Sequence, residues 1–182
     1  PVGWSGLSLA VGVSLAQSLH PDVRLKWPND LWLHERKLGG ILVETASTGE
    51  AAQGQRLVVI GVGINIARPD ASAVAALVPE GSAVAAMAPA GLAEVHMGIT
   101  AGEVLEQVAP SLVKDVLAFA SQGFAAFSQR FEQLDALQGQ TVQLTDGTRG
   151  TACGVNPDGA LQVLTEQGMQ SVTSAEVSVR PC

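Results

Sequence analysis

Between Val23 and Glu44 the chain reads VRLKWPNDLWLHERKLGGILVE, setting Lys26, Lys37, the pair Asn29-Asp30 and the pair Gly39-Gly40 into a run otherwise written for a sheet. A second stretch, LVVIGVGINI, adds Gly61, Gly63 and, at its polar end, Asn65. Glycine inside a strand leaves room for close approach, so two such pairs imply a flat slot between strands for something thin. Lys37 would stand at the entrance of that slot and Asn65 at the strand end, where a polar side chain meets a ligand. Each residue also has an ordinary reading. Lys37 fits a solvated turn beside Glu35 and Arg36, Asn29 and Asp30 fit a turn, and Lys26 fits a side chain snorkelling from a strand face. The run GVGIN lacks the third glycine, the following helix and the placed acid of a dinucleotide-binding turn. His20, His34 and His96 are scattered singly, which argues against a histidine metal site.

The elements that must position these residues follow from periodicity. Leu7, Val11, Leu15 and Leu19 recur four apart and predict a helix facing a sheet, ended by His20-Pro21-Asp22. Val23, Leu25 and Trp27 alternate with Arg24 and Lys26 as in a half-buried strand, broken by Pro28-Asn29-Asp30. LWL and LGGILVE read as two strands around the turn HERK, and LVVIGVGINI as a nearly all-apolar central strand. Ala67 to Ile99 reads as loop and short helical turns. Thr100 to Glu103 is a capping box opening a helix striped by Val104, Leu105, Val108, Leu112, Val116 and Phe119, kinked at Pro110 and stopped at Gly123. A short helix with Phe124, Phe127, Phe131 and Leu134 on one side follows. Beyond Gly139, short strands separated by DG, NPDG and EQG turns predict a small β-barrel. The fold class is therefore α+β, a mixed or antiparallel sheet backed by helices and followed by a small barrel, with domains at 1–136 and 137–182.

Composition narrows the function. The chain has 182 residues, 47% hydrophobic and 15% charged, with mean hydropathy +0.27, which describes a well-buried globular protein. A net charge of -7 and a pI near 4.8 argue against an electrostatic grip on nucleic acid. Two cysteines, Cys153 and Cys182, form no disulfide framework and fit a reducing cytoplasm. GLSLAVGVSLAQSLH has no basic flank and is interrupted by Gly6, Ser8, Gly12, Ser14 and Gln17, so neither a signal peptide nor a membrane span is expected. The opening PVGW carries no initiator Met, cap or leading strand, and suggests a missing upstream part.

Taken together, KWPNDLWLHERKLGGILVE followed by VVIGVGINI closely resembles the catalytic-domain signature of biotin protein ligases, the biotin–acetyl-CoA-carboxylase ligase family. FSQRFEQLDALQGQTV and AEVSVR resemble, more loosely, the family's last catalytic-domain helix and its SH3-like C-terminal barrel. The resemblance implies a class II synthetase-like catalytic domain, incomplete at its N-terminus, followed by that barrel. It implies ATP-dependent activation of biotin to biotinyl-5′-adenylate, with pyrophosphate released, and transfer of biotin to a lysine of a biotin carboxyl carrier protein. Lys37 matches the family's ligand-contacting lysine, whose ammonium offsets charge growing on phosphate and carboxylate oxygens. Asp30 matches a carboxylate that orients or deprotonates the incoming lysine. Asn29 and Asn65 match positions around the adenylate and its Mg2+, and Gly40, Leu42, Gly61 and Gly63 would line the biotin slot. Arg180 matches a barrel residue reaching toward the nucleotide, although Ala175 replaces a glycine common in that closing motif.

The family's arginine- and glycine-rich adenylate-binding loop and its biotin-reading Ser/Thr segment would precede GLSLAVGVSL, and this chain contains neither. Three other readings stay open: a lipoate-type ligase, the ligase portion of a bifunctional biotin-responsive transcriptional repressor, and a binding module that keeps the fold without catalysis. KWPND and RKLGGILVE favour biotin. No membrane partner and no nucleic acid binding are expected of this chain, and a homodimer is left open.

Overall fold

The computed structural model of the chain describes residues 4–47, 56–70, 88–173 and 180–181. Helix α1 spans Leu7–Leu19, opens at Gly6 with φ +78° and closes where His20 turns extended. The predicted stripe of four residues is too narrow: Leu9, Ala10, Gly12, Val13, Ser14 and Ala16 are buried as well. A helix apolar nearly all round is a core helix, and α1 packs on the sheet with one side and on a second helix with another.

Four strands, β1 Val23–Lys26, β2 Asp30–Leu33, β3 Arg36–Ser47 and β4 Arg56–Ile64, form a sheet in the order β1-β2-β3-β4, each pair antiparallel. The segment after the helices adds to the outer side of β1, with Leu25 N–H donating to Leu134 O and Ala136 N–H to Leu25 O, both at 2.8 Å. It bridges Leu25 and Asp135 in the parallel sense, so α+β with a mixed sheet is what folds. LVVIGVGINI is not a central strand. Among the described residues β4 ends the sheet, and Leu57 and Val59 stand 57% exposed. An all-apolar run reads as buried on both faces, but its glycines keep one face open.

Helix α2, Ala101–Gln122, begins with the predicted capping box: Glu103 N–H donates to Thr100 Oγ1, and the Glu103 carboxylate accepts from Thr100 N–H at 2.8 Å. It continues as one segment through Pro110 and ends at Gly123, φ +68°. A 3-10 turn, Phe124–Phe127, and helix α3, Ser128–Glu132, bury Phe124, Phe127 and Phe131. Arg130 joins the helices, with its guanidinium on both Asp115 oxygens at 3.1 and 2.8 Å and on Gln17 Oε1. That pairing holds the Asp115 carboxyl below its ordinary range.

The C-terminal strands are β5 Thr141–Gln143, β6 Arg149–Val155, β7 Leu161–Thr165, β8 Gly168–Val172 and β9 Arg180–Pro181. They form a five-stranded antiparallel sheet in the order β8-β7-β6-β5-β9. The predicted turn glycines Gly147, Gly159 and Gly168 take φ of +89°, +80° and +111°. Cys153 is exposed on β6. Cys182, Ala175 and the middle of the Ala67 to Ile99 stretch lie outside the described residues; its described parts carry one 3-10 turn, Leu92–Glu94. No described helix is long and apolar enough to cross a membrane.

Candidate functional site

The sheet register builds the site. Lys26 pairs with Asp30, Asp30 with Gly40, and Gly40 with Gly63, a single row across all four strands. Side chains alternate faces with period two, so Gly40 and Lys37, three apart, belong on opposite faces of a regular strand. A bulge reverses this. Leu31 pairs with Gly39 but Trp32 with Lys37, which leaves Leu38 as an extra residue on β3. Leu38 turns fully into the core, and Lys37 turns onto the face of Asp30. A Cβ added to Gly39 would collide with the Gly63 carbonyl oxygen, so glycine is required beside the bulge. Gly39 therefore serves backbone packing, while Gly40 serves the slot.

On that face Lys37 Nζ lies 2.6 Å from Asp30 Oδ1, and Lys26 Nζ lies 3.9 Å from Asp30 Oδ2 and 5.4 Å from the centre of the Trp32 ring. One carboxylate thus stands between two ammonium groups, and the more exposed of them, Lys37, is the cation placed to meet an anionic ligand. Beyond it the row opens. A Cβ on Gly63 would meet nothing within 4 Å, and one on Gly61 only Leu42 at 3.7 Å. Leu42, register partner of Gly61, is 58% exposed. Asp30, Lys37, Gly40, Leu42, Gly61 and Gly63 are brought together as one trough with a charged end.

The two asparagines hold the backbone around it. Asn29 Nδ2 donates to Ile41 O, and Ile41 N–H donates back to Asn29 O, both at 2.9 Å. Asn65 Nδ2 donates to Ala90 O at 3.1 Å, and Ala90 N–H donates to Lys37 O at 2.9 Å, so Asn65 steadies the segment that fixes the Lys37 backbone. Arg36 reinforces the same corner through a bidentate pair with Glu94, whose carboxyl is lowered to about 2 by that guanidinium and by Gly91 N–H. Arg180 lies on β9, its backbone paired with Gln143 in the other sheet. The carboxylate beside them is held by two ammonium groups, which would repel a cation. These residues do not form a Mg2+ cage, and among the described residues no group of three His, Cys, Asp or Glu side chains could hold a metal.

A cleft of about 430 Å³ adjoins the trough at Asn29 and Leu42 and is walled by the start of α1, Trp27, Pro28 and the turn Gly159-Ala160. Trp27 Nε1 donates to Gly159 O at 3.0 Å in a buried bond, tying the C-terminal sheet to the KWPND turn. Sequence reasoning missed Trp27, Trp32 and Arg36, and it set Lys26 aside as a surface side chain. The signal was present for Lys26: a hairpin closing through Pro28-Asn29 puts it opposite Asp30.

Comparison with known proteins identifies the family. The description "Biotin/lipoate A/B protein ligase family" matches residues 5–65, and "Biotin protein ligase C terminal domain" matches residues 138–180. The bifunctional ligase/repressor BirA of Escherichia coli is 33% identical across 99% of this chain and 54% of its own length. A biotin–acetyl-CoA-carboxylase ligase of Paracoccus denitrificans is 31% identical across 93% of this chain and 69% of its own. The biotin protein ligase from Aquifex aeolicus superposes with a TM-score of 0.75 at 26% identity, over 97% of this chain and 75% of that one. The chain spans about half the length of the BirA relatives it matches. With the signature hairpin folded around a charged trough, and with a relative of which it covers more than two thirds, the chain belongs to the biotin protein ligase family.

Proposed function

We propose that the protein containing this chain is an ATP-dependent ligase that activates biotin as biotinyl-5′-adenylate and transfers it to a lysine of a biotin carboxyl carrier protein. The observation that carries this reading is the Lys37 ammonium, 2.6 Å from Asp30, at the charged end of a trough floored by Gly40 and Gly63. Adenylation joins the biotin carboxylate to the α-phosphate of ATP with loss of pyrophosphate, and it gathers negative charge on both partners. Lys37, 55% exposed, is free to swing from Asp30 to those oxygens and offset that charge. The side chain of Leu42 and the glycine backbones of β3 and β4 offer a flat apolar bed for the biotin rings. Asp30, relieved of Lys37, then orients the carrier's ammonium or takes a proton from it, and the resulting amine attacks the adenylate carbonyl with AMP as the leaving group.

The Aquifex aeolicus ligase, 26% identical, has been solved in complex with biotin and ATP, which supports the same substrates here. Asn29, Asn65 and the barrel residue Arg180 are assigned to the adenylate side. Mg2+ arrives with the triphosphate rather than in a protein cage. Residues 137–182 form a separate SH3-like unit after a catalytic part at 1–136, and the enzyme acts in the cytoplasm.

The test is incorporation of labelled biotin into an apo carrier protein by the full-length polypeptide with ATP. Labelled carrier and stoichiometric AMP are expected. ATP-dependent labelling by lipoate in preference to biotin, or biotin binding with no transfer, would overturn the assignment.

A further inference from the structure

The two lysines beside Asp30 are not equivalent. Lys26 ends β1 as the register partner of Asp30, is 15% exposed and rests its ammonium over the Trp32 ring. Lys37 follows a turn, is 55% exposed and reaches Asp30 from beyond the bulge. One cation is sheltered and braced, and the other sits on a side chain that is half exposed. The Asp30 side chain is itself only 16% exposed, and a carboxylate so sheltered is strongly disfavoured when its partner leaves.

We propose that Lys26 is the standing counter-ion of Asp30, and thus a positioning residue that keeps the carboxylate aimed while Lys37 departs to the ligand. The proposal rests on the two-step reading above. In the ligand-free protein Asp30 holds Lys37 at the charged end of the trough. When an anionic ligand draws Lys37 away, Lys26 keeps the carboxylate in its row, ready for the incoming ammonium. Lys26 acts on the reaction through Asp30, and its influence falls on transfer rather than on adenylate formation.

The experiment uses the full-length polypeptide in single turnovers, with adenylate formation measured from biotin and ATP and transfer measured from preformed biotinyl-adenylate to apo carrier. Lys26→Met keeps an apolar stem on Trp32 and removes the charge. It should slow transfer about tenfold and leave adenylate formation within about twofold. Lys26→Arg should restore transfer to within about threefold. In an Asp30→Asn background, Lys26→Met should add no further loss. Equal slowing of both steps, an additive loss in the Asp30→Asn background, or no change in transfer overturns the proposal while unmodified protein still labels the carrier. Failure of the unmodified protein to label carrier overturns the functional reading, and this inference falls with it.

Discussion

At the scale of single residues, the Asp30–Lys37 pair divides the two half-reactions between its members. Lys37→Ala removes the cation that offsets charge on the phosphate and carboxylate oxygens. Loss of one such group typically slows chemistry about 100- to 1,000-fold, and the loss should appear in adenylate formation. Asp30→Asn leaves that cation in place and even releases it, so adenylate should still form while transfer slows. Rapid-quench measurement of each step in each variant decides the matter; equal losses in both steps for both variants would reduce the pair to structure. The pairing of these residues could not be read from spacing. Lys37 and Asp30 are turn residues by type, and regular alternation would put Lys37 on the far face of β3. Their roles came from resemblance, and their contact from the extra residue Leu38. The asparagines carry a different lesson. Their types suit a ligand site, yet Asn29 and Asn65 spend their amide N–H groups on the carbonyls of Ile41 and Ala90.

At the scale of elements, the hairpin and β4 were legible because alternation and turn residues are local signals. The bulge was marked only by Gly39-Gly40, which signals close approach without saying of what. The structure separates the two glycine duties, and mutation can do the same. Gly39→Ala forces a methyl into the Gly63 carbonyl of the next strand, so the melting temperature should fall by several degrees, as a loss of about 1–3 kcal/mol gives. Gly63→Ala meets no atom within 4 Å. It should leave thermal stability nearly unchanged and weaken biotin binding by raising the trough floor. Thermal melts alongside isothermal titration with biotin check both; a Gly63→Ala variant that loses stability but binds biotin normally would place the slot elsewhere. The same locality explains the misreading of α1 and β4. Periodicity reports one apolar face, but α1 is covered by sheet and helix together, and β4 is apolar on a face that stays open.

At the scale of the molecule, the two sheets meet through contacts between residues far apart in sequence, and no local pattern announces them. Trp27 bonds to Gly159, and Gly159 packs so closely on Gly6 that a Cβ there would stand 2.8 Å from its Cα. The chain passes from one sheet to the other at Leu134 to Leu137, where Asp135 bridges to Leu25 and accepts from Leu137 N–H at 2.8 Å through Oδ1. Its Oδ2 is buried with no hydrogen-bond partner. Burial, opposed only in part by the Leu137 N–H, raises its carboxyl from 3.8 to about 6. A carboxyl raised on folding favours the folded state in its protonated form. Its contribution is fully present below the unfolded value near 3.8 and is lost as pH rises through about 6. At pH 7 to 8 the ionised group therefore works against the junction by something on the order of 3 kcal/mol. Asp135→Asn keeps an oxygen for Leu137 N–H and cannot ionise. In urea titrations of the full-length protein, this variant should gain stability relative to the parent as pH rises from 4 to 8, with the change concentrated between pH 4 and 6.5. A stability difference that stays constant over that range would show that Asp135 does not ionise within its junction.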